Sequence, residues 1–214
     1  MLIPVFAAAH NLSGANARFV EGLDGPAVIP YMYLGAKHMV TGYDHLLYLV
    51  GVVFFLLRLK DVILYVSLFT LGHSITLMGG VLLGWNVNAY LIDAIIGLSV
   101  AYKAFENING FKQIFGFALN ARAAVLIFGL FHGLGLATKL QGLSLSADSL
   151  VTNMLSFNVG VEVGQALALA CIVVILGQWR QRNNFKKQAF AANTVLMSLG
   201  FMLAGYQFSA YLWA

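Results

Sequence analysis

Long apolar runs separated by short polar stretches follow one another along almost the whole chain. A helix needs roughly 20 apolar residues to cross about 30 Å of hydrocarbon. Six runs approach or reach this length, and we expect each to form a membrane-spanning helix. They extend from about Val40 to Leu57, Val62 to Leu83, Ala89 to Asn107, Ala123 to Leu140, Leu150 to Gln178 and Phe190 to Phe208.

The segment before the first run, Pro26 to Met39, is apolar but short, and Pro30 and Gly35 interrupt it. Such a segment is tolerated at membrane depth when protein covers it. We expect a half-helix or interfacial segment that packs over the first span. The pattern therefore predicts an all-α, polytopic transmembrane bundle over residues 26–214, preceded by an extracytoplasmic segment of residues 1–25.

The composition excludes a water-soluble globular protein. Apolar residues make up 60% of the chain and charged residues only 9%, against roughly 25% charged in soluble proteins. The net charge of +4 does not indicate a nucleic-acid partner, because the basic residues lie in short loops between apolar runs. Lipid is the expected surrounding, and the single cysteine, Cys171, excludes an internal disulfide.

The basic residues concentrate on one side of the predicted bundle. They follow the first, third and fifth runs, as Arg58, Lys60, Lys112, Arg122, Arg180, Arg182, Lys186 and Lys187. Cytoplasmic loops carry an excess of Lys and Arg. We therefore expect these loops to be cytoplasmic, both termini to lie outside the cytoplasm, and the protein to reside in a bacterial inner membrane.

A few ionisable residues fall inside the predicted spans at matching depth. An ionisable side chain at the bilayer centre costs roughly 2.5 to 3.5 kcal/mol on insertion scales, so several at one depth indicate a function. One group lies at the outer end of the first span, and the others lie about midway along spans two, four and five. The predicted site consists of His38, Asp44, His45, His73, His132 and Glu162.

Local spacing supports a shared interior face. His38 and His45 are two helical turns apart and stack on one side if a single helix includes both. Asp44 points about 100° away from His45, so it can join the site or hold a neighbouring imidazole. Asn158, Glu162 and Gln165 form a polar stripe along span five.

Imidazole and carboxylate donors suit divalent first-row ions, so nickel, cobalt, zinc or iron is expected. Copper(I) is less favoured, because no cysteine lies near these residues. Three other interpretations stay open for the same residues. They can form a proton site or a buried hydrogen-bonding network that ties helices together, and paired histidines would also suit haem.

Five ordered strings of the sequence resemble the HupE/UreJ family of bacterial membrane proteins, especially its second branch. They are LGAKHMVTGYDHLLYL, FTLGHSITL, LSVAYKAFEN, FGLFHGLGLATKL and FNVGVEVGQ. The resemblance implies a small membrane protein associated with hydrogenase and urease gene clusters and described as a nickel permease or accessory protein. It assigns metal handling to His38, Asp44, His45, His73 and His132, while Glu106, Asn107, Asn158, Glu162 and Gln165 match family positions without an assigned role.

The leading hypothesis is a permease for nickel, cobalt or a similar divalent cation. A structural or accessory subunit of a larger membrane complex, or a homo-oligomer, is a second hypothesis. An intramembrane metalloenzyme is a third, although the chain contains no HExxH or GxSxG sequence. We therefore expect a non-enzymatic protein.

Overall fold

The computed structural model describes residues 22–23, 25–141 and 147–213, and throughout these ranges the chain is helical or connects helices. The helices are α1 Val28–Thr41, α2 Tyr43–Val53, α3 Leu59–Leu83, α4 Ala89–Asn107, α5 Gly110–Phe115, α6 Ala121–Gln141, α7 Leu150–Arg180 and α8 Phe185–Trp213. A 3₁₀ turn, Ala147–Ser149, precedes α7. The predicted all-α class is confirmed. Most of the predicted N-terminal segment, residues 1–25, lies outside the described residues.

Four helices in the described part of the chain are long and apolar enough to cross a membrane. They are α3, α6, α7 and α8. Helix α4 coincides with a predicted span, but Asp93, Lys103 and Glu106 make it less apolar. The predicted half-helix corresponds to α1, and most of the predicted first span corresponds to α2, an apolar helix of only 11 residues. The count of six spans therefore stays a prediction.

The division between α1 and α2 falls at Gly42, which has an extended backbone with φ −75° and ψ 101°. Its N–H still donates to the His38 carbonyl at 2.9 Å. A Cβ at Gly42 would lie 3.0 Å from both the His38 carbonyl oxygen and His45 Nδ1. Glycine thus allows the chain to turn between the first two histidines without crowding them.

Three helix pairs carry most of the packing among the described residues: α1 with α7, α3 with α6, and α4 with α8. Helix α1, predicted to cover the first span, instead lies mainly along α7. Glycines mark each contact, because a Cβ there would meet the backbone of the partner helix. Gly160 faces Met32, Gly129 faces Phe69, and Gly200 faces Ala101. Small residues allow this close approach where lipid offers no hydrophobic drive between helices.

Arg180 ties the end of α7 to the end of α2. Its guanidinium donates to the carbonyl oxygens of Val53, Phe54 and Leu56 at 2.5 to 3.1 Å. The last carbonyls of a helix lack N–H partners within it, and at the end of α2 the guanidinium supplies donors to them. The Val53 carbonyl oxygen also accepts from the Leu56 N–H at 3.1 Å. The contact fixes the C-terminal end of α2, whose N-terminal end carries Asp44 and His45.

Candidate metal centre

Four histidines from four helices meet in the interior of the bundle. His38 comes from α1, His45 from α2, His73 from α3 and His132 from α6. The His45 ring lies at the centre, with ring centroids 4.9 Å from His38, 6.0 Å from His73 and 5.0 Å from His132. We call these residues the histidine cluster. The fold thus brings together histidines that lie as far apart in the sequence as His38 and His132, which are separated by 94 residues.

Three of these side chains have the arrangement of a metal site. One ligating atom from each of His38, His45 and His73 lies within 4.8 Å of the others. The cluster is also closed to the outside, since His73 and His132 are 0% exposed. Three imidazoles converging from separate helices can bind a divalent ion after small side-chain adjustments.

The hydrogen bonds of His132 leave one ring nitrogen available. Its Nδ1 lies 2.8 Å from the Phe128 carbonyl oxygen, to which it can only donate. Its Nε2 is then the unprotonated nitrogen of the neutral ring, and it has no hydrogen-bond partner among the described residues. A bond from Nδ1–H to a backbone carbonyl is how metal-binding histidines are commonly oriented.

His73 is the most unusual member of the cluster. Both of its ring nitrogens are buried, and neither has a hydrogen-bond partner in the described part of the chain. Leaving a buried polar group unsatisfied costs about 1 to 3 kcal/mol. A cation bound through one nitrogen, with water on the other, would remove this cost, so the donor set fits a metal ion.

Asp44 contacts the cluster through His45. Its Oδ1 lies 3.1 Å from His45 Nδ1. The carboxylate can therefore accept a hydrogen bond from Nδ1–H and direct Nε2 toward the other imidazoles. Of the two roles that the sequence left open for Asp44, the geometry favours holding the imidazole. The carboxylate also brings one negative charge beside the place where a cation would bind.

Aromatic side chains enclose the cluster. Phe69 lies 4.9 Å from the His132 ring and Tyr48 lies 5.3 Å from it, while Phe157 lies 6.0 Å from His38, all measured between centroids. All three aromatic residues are buried. They exclude bulk water and strengthen electrostatic interactions inside the cluster, because the local dielectric is low.

The contact between α3 and α6 brings His73 beside His132. Gly133 makes it possible, since a Cβ there would collide with the His73 carbonyl oxygen and with Thr76 Oγ1. Thr76 also donates to the Leu130 carbonyl oxygen at 2.6 Å, which joins the two helices one turn away. The glycines that surround His132 in the sequence therefore act in packing.

Glu162 does not join the histidines. It lies on the exposed side of α7 and lines a cleft between α3 and α7. Asn158 and Gln165 are buried beside it and accept hydrogen bonds from Ser74 and Thr70, at 3.4 and 2.5 Å. The predicted polar stripe on α7 exists, but its members contact α3 rather than the histidine cluster.

Asn107 belongs to a different polar group. Its Nδ2 donates to the Gly51 carbonyl oxygen and to Asn193 Oδ1, both at 2.9 Å. Lys103 and Glu106 form an ion pair on the same helix, with Nζ 2.8 Å from Oε2. Asn107 thus joins α4 to α2 and α8, so it has a packing role in this structure.

Comparison with protein-family models identifies the family of the chain. A family model described as HupE / UreJ protein matches residues 3–214. The chain belongs to the HupE/UreJ family. No curated protein and no solved structure matches it. The sequence strings that carried the resemblance hold all four histidines of the cluster, so in this HupE/UreJ chain the recognisable segments are the ones that build the centre.

The structure adds to this HupE/UreJ protein an ion pair that the sequence did not single out. Lys139 Nζ lies 2.7 Å from Asp93 Oδ2, which connects α6 to α4. Lys139 follows His132 by seven residues, so the two share one side of α6. That spacing was the available signal, together with a glycine, Gly135, that lets Asp93 approach α6.

Proposed function

We propose that the protein is a membrane permease for a divalent first-row transition ion of the nickel or cobalt type. The observation that carries the proposal is the meeting of His38, His45 and His73, with one ligating atom of each within 4.8 Å. Neutral imidazoles bind nickel, cobalt, zinc and iron. Membership of a family named for hydrogenase and urease accessory proteins favours nickel among them.

The cluster would act by replacing water around the ion. A bare divalent charge is very costly in hydrocarbon, and the imidazole nitrogens would take the place of the lost hydration shell. Asp44 would offset part of the charge through His45. Because the ligands come from separate helices, a small movement of one helix would break the coordination and release the ion.

The expected setting is a bacterial inner membrane, with both termini outside the cytoplasm. The positions of Arg58, Lys60, Arg180 and Arg182 support this orientation. With these residues inside, His38 and His45 lie toward the outer side of the bundle. An ion arriving from outside would then meet the α1–α2 junction first.

A resident ion in an accessory subunit is the second candidate, and the burial of His45, His73 and His132 favours it. A closed site can retain an ion as well as transfer it. Exchange separates the two: in protein loaded with ⁶³Ni²⁺, a permease would release the label into unlabelled nickel within a turnover time, and a resident ion would stay bound.

Metal accumulation in cells tests the proposal directly. We expect His45→Ala and His73→Ala each to abolish nickel and cobalt accumulation above the background of cells without the protein, while the variants still insert in the membrane. His10→Ala, which changes the one histidine outside the cluster, is the matched control and should accumulate as the wild type does. Unchanged accumulation in both cluster variants would exclude the permease.

A further inference from the structure

A cleft of about 560 Å³ with a mainly apolar wall opens on the outside of the bundle between α3 and α7. Its polar lining consists of Ser67, Thr70, Ser74, Glu162 and Gln165, and the rest of its wall is apolar. Glu162 is the one acidic residue in this lining. We call this feature the Glu162 cleft. It is separate from the histidine cluster and has no place in the coordination described above.

The position of Glu162 makes a lipid-filled cleft unfavourable. Both α3 and α7 are long and apolar enough to cross a membrane, and Glu162 falls near the middle of α7. An exposed carboxylate at that depth is costly against hydrocarbon, so intramembrane acids face water-filled cavities, ions or partner groups. The hydroxyl groups around Glu162 point to the same kind of polar occupant.

Two buried amides give a second, independent indication of that occupant. Asn158 is 7% exposed and Gln165 is 2% exposed. Each accepts one hydrogen bond from α3 through its oxygen, whereas Asn158 Nδ2 and Gln165 Nε2 have no hydrogen-bond partner within the described residues. Buried amide groups rarely stay unsatisfied, and ordered water is a partner for those that no protein group reaches. Water beside a carboxylate is the surrounding that a hydrated cation requires.

The wall of the cleft is also the wall of the histidine cluster. Ser74 follows His73 directly in α3, and Asn158 follows Phe157, whose ring lies 6.0 Å from His38. The Ser74–Asn158 and Thr70–Gln165 hydrogen bonds join α3 to α7 beside the cleft. His73 precedes Ser74 on α3, and neither of its ring nitrogens has a partner in the described residues.

We propose that the Glu162 cleft is a second cation station, which holds a divalent cation with most of its water retained. Carboxylate and hydroxyl oxygens suit a hydrated ion, while imidazoles suit one that has lost its water. The ion would pass between the two stations when the Ser74–Asn158 and Thr70–Gln165 hydrogen bonds break. This inference rests on the proposed function for its cargo, and it places Glu162 in a step that precedes or follows imidazole coordination.

Cysteine modification tests the cleft without relying on the histidines. Ser67→Cys is placed in a Cys171→Ser background, because Cys171 is itself exposed, and the protein is studied in lipid nanodiscs with both faces open. We expect a cationic methanethiosulfonate to react about tenfold faster than an anionic one, since one carboxylate nearby favours the cation electrostatically. Val163→Cys, beside Glu162 but outside the cleft lining, should stay unreactive because a thiol in lipid does not ionise.

The charge preference must depend on Glu162. Glu162→Gln should abolish it, Glu162→Asp should keep it, and Asp148→Asn, an exposed carboxylate before the same helix, should leave it unchanged. Ni²⁺ should slow the modification of Ser67→Cys in the presence of Glu162 and not in Glu162→Gln. An unreactive Ser67→Cys, a preference that survives Glu162→Gln, or a lack of protection by Ni²⁺ would each overturn the proposal.

A His73→Ala background separates this proposal from the proposed function. If both are correct, the variant loses metal retained by the cluster but keeps Ni²⁺ protection of the cleft. If the variant loses the retained metal but the cleft shows no charge preference, the result would contradict the second cation station alone. Unchanged metal retention beside a charge-selective, Ni²⁺-protected cleft would instead contradict the histidine cluster as the transport site and leave the cleft standing.

Discussion

The ring of His45 contacts more of the centre than any other side chain described here. It lies against His38, His73 and His132, and its Nδ1 forms a hydrogen bond with the Asp44 carboxylate. Its orientation therefore decides whether the remaining imidazoles can share one ion. The Asp44–His45 contact is the point at which a single charge influences the whole cluster.

Replacing that charge gives a prediction at the residue scale. Asp44→Asn keeps the shape of the side chain but removes its negative charge, and we expect nickel and cobalt affinity to fall roughly 10- to 100-fold, as for other groups that orient a ligating histidine. Titration calorimetry on the detergent-purified protein measures it. Asp148→Asn should bind as the wild type does, and an unchanged affinity in Asp44→Asn would mean that the carboxylate does not orient His45.

The residues of the centre were largely readable from the sequence, because intramembrane histidines at matching depth are rare enough to indicate a site. Glu162 shows the limit of that reasoning. It shares a stripe with Gln165, yet three residues along a helix turn the side chain by about 60°. This rotation is enough to bury Gln165 and expose Glu162 in a cleft. Depth was predictable, whereas helix rotation depends on the partner helices.

At the scale of helices, glycine contacts hold the elements that carry the histidines. Apolar runs predicted α3, α4, α6, α7 and α8 to within a few residues, since helix length is set by the bilayer and the polar ends. A half-helix ending near Met39 was predicted before the first span, and the division in the structure falls at Gly42. The position of the turn was not predicted, because one glycine in an apolar run more often permits packing than a break. The sequence also did not predict which helices pair, because small residues indicate a helix contact but not the identity of the partner helix.

Gly133 offers the clearest test of these contacts. Gly133→Ala would force its Cβ against the His73 carbonyl oxygen and Thr76 Oγ1, so we expect α3 and α6 to separate and the protein to lose roughly 1 to 3 kcal/mol of stability. Thermal unfolding in detergent measures the change. Gly177→Ala and Gly205→Ala, where a Cβ meets nothing within 4 Å, are the matched controls and should be neutral or slightly stabilising. Equal stability in all three variants would contradict the packing role of Gly133.

For the whole molecule, the arrangement is a bundle with an apolar exterior and a small polar interior. Large apolar residues such as Ile75, Val163 and Phe201 are exposed on the outside, as expected for a surface in contact with lipid, while the histidine cluster is closed. Composition predicted this inversion from the fraction of charged residues. The separation of the polar groups into a histidine cluster and a Glu162 cleft emerged only from the folded chain.

The central claim is that the histidine cluster holds a divalent transition metal ion. Elemental analysis of the detergent-purified protein, with nickel, cobalt, zinc, iron and copper read together, tests it most directly beside a His45→Ala/His73→Ala double variant and a His10→Ala control. We predict roughly one ion per chain in the wild type and in the control, held by imidazole donors, and none in the double variant. A double variant that keeps the metal content of the wild type would contradict the claim.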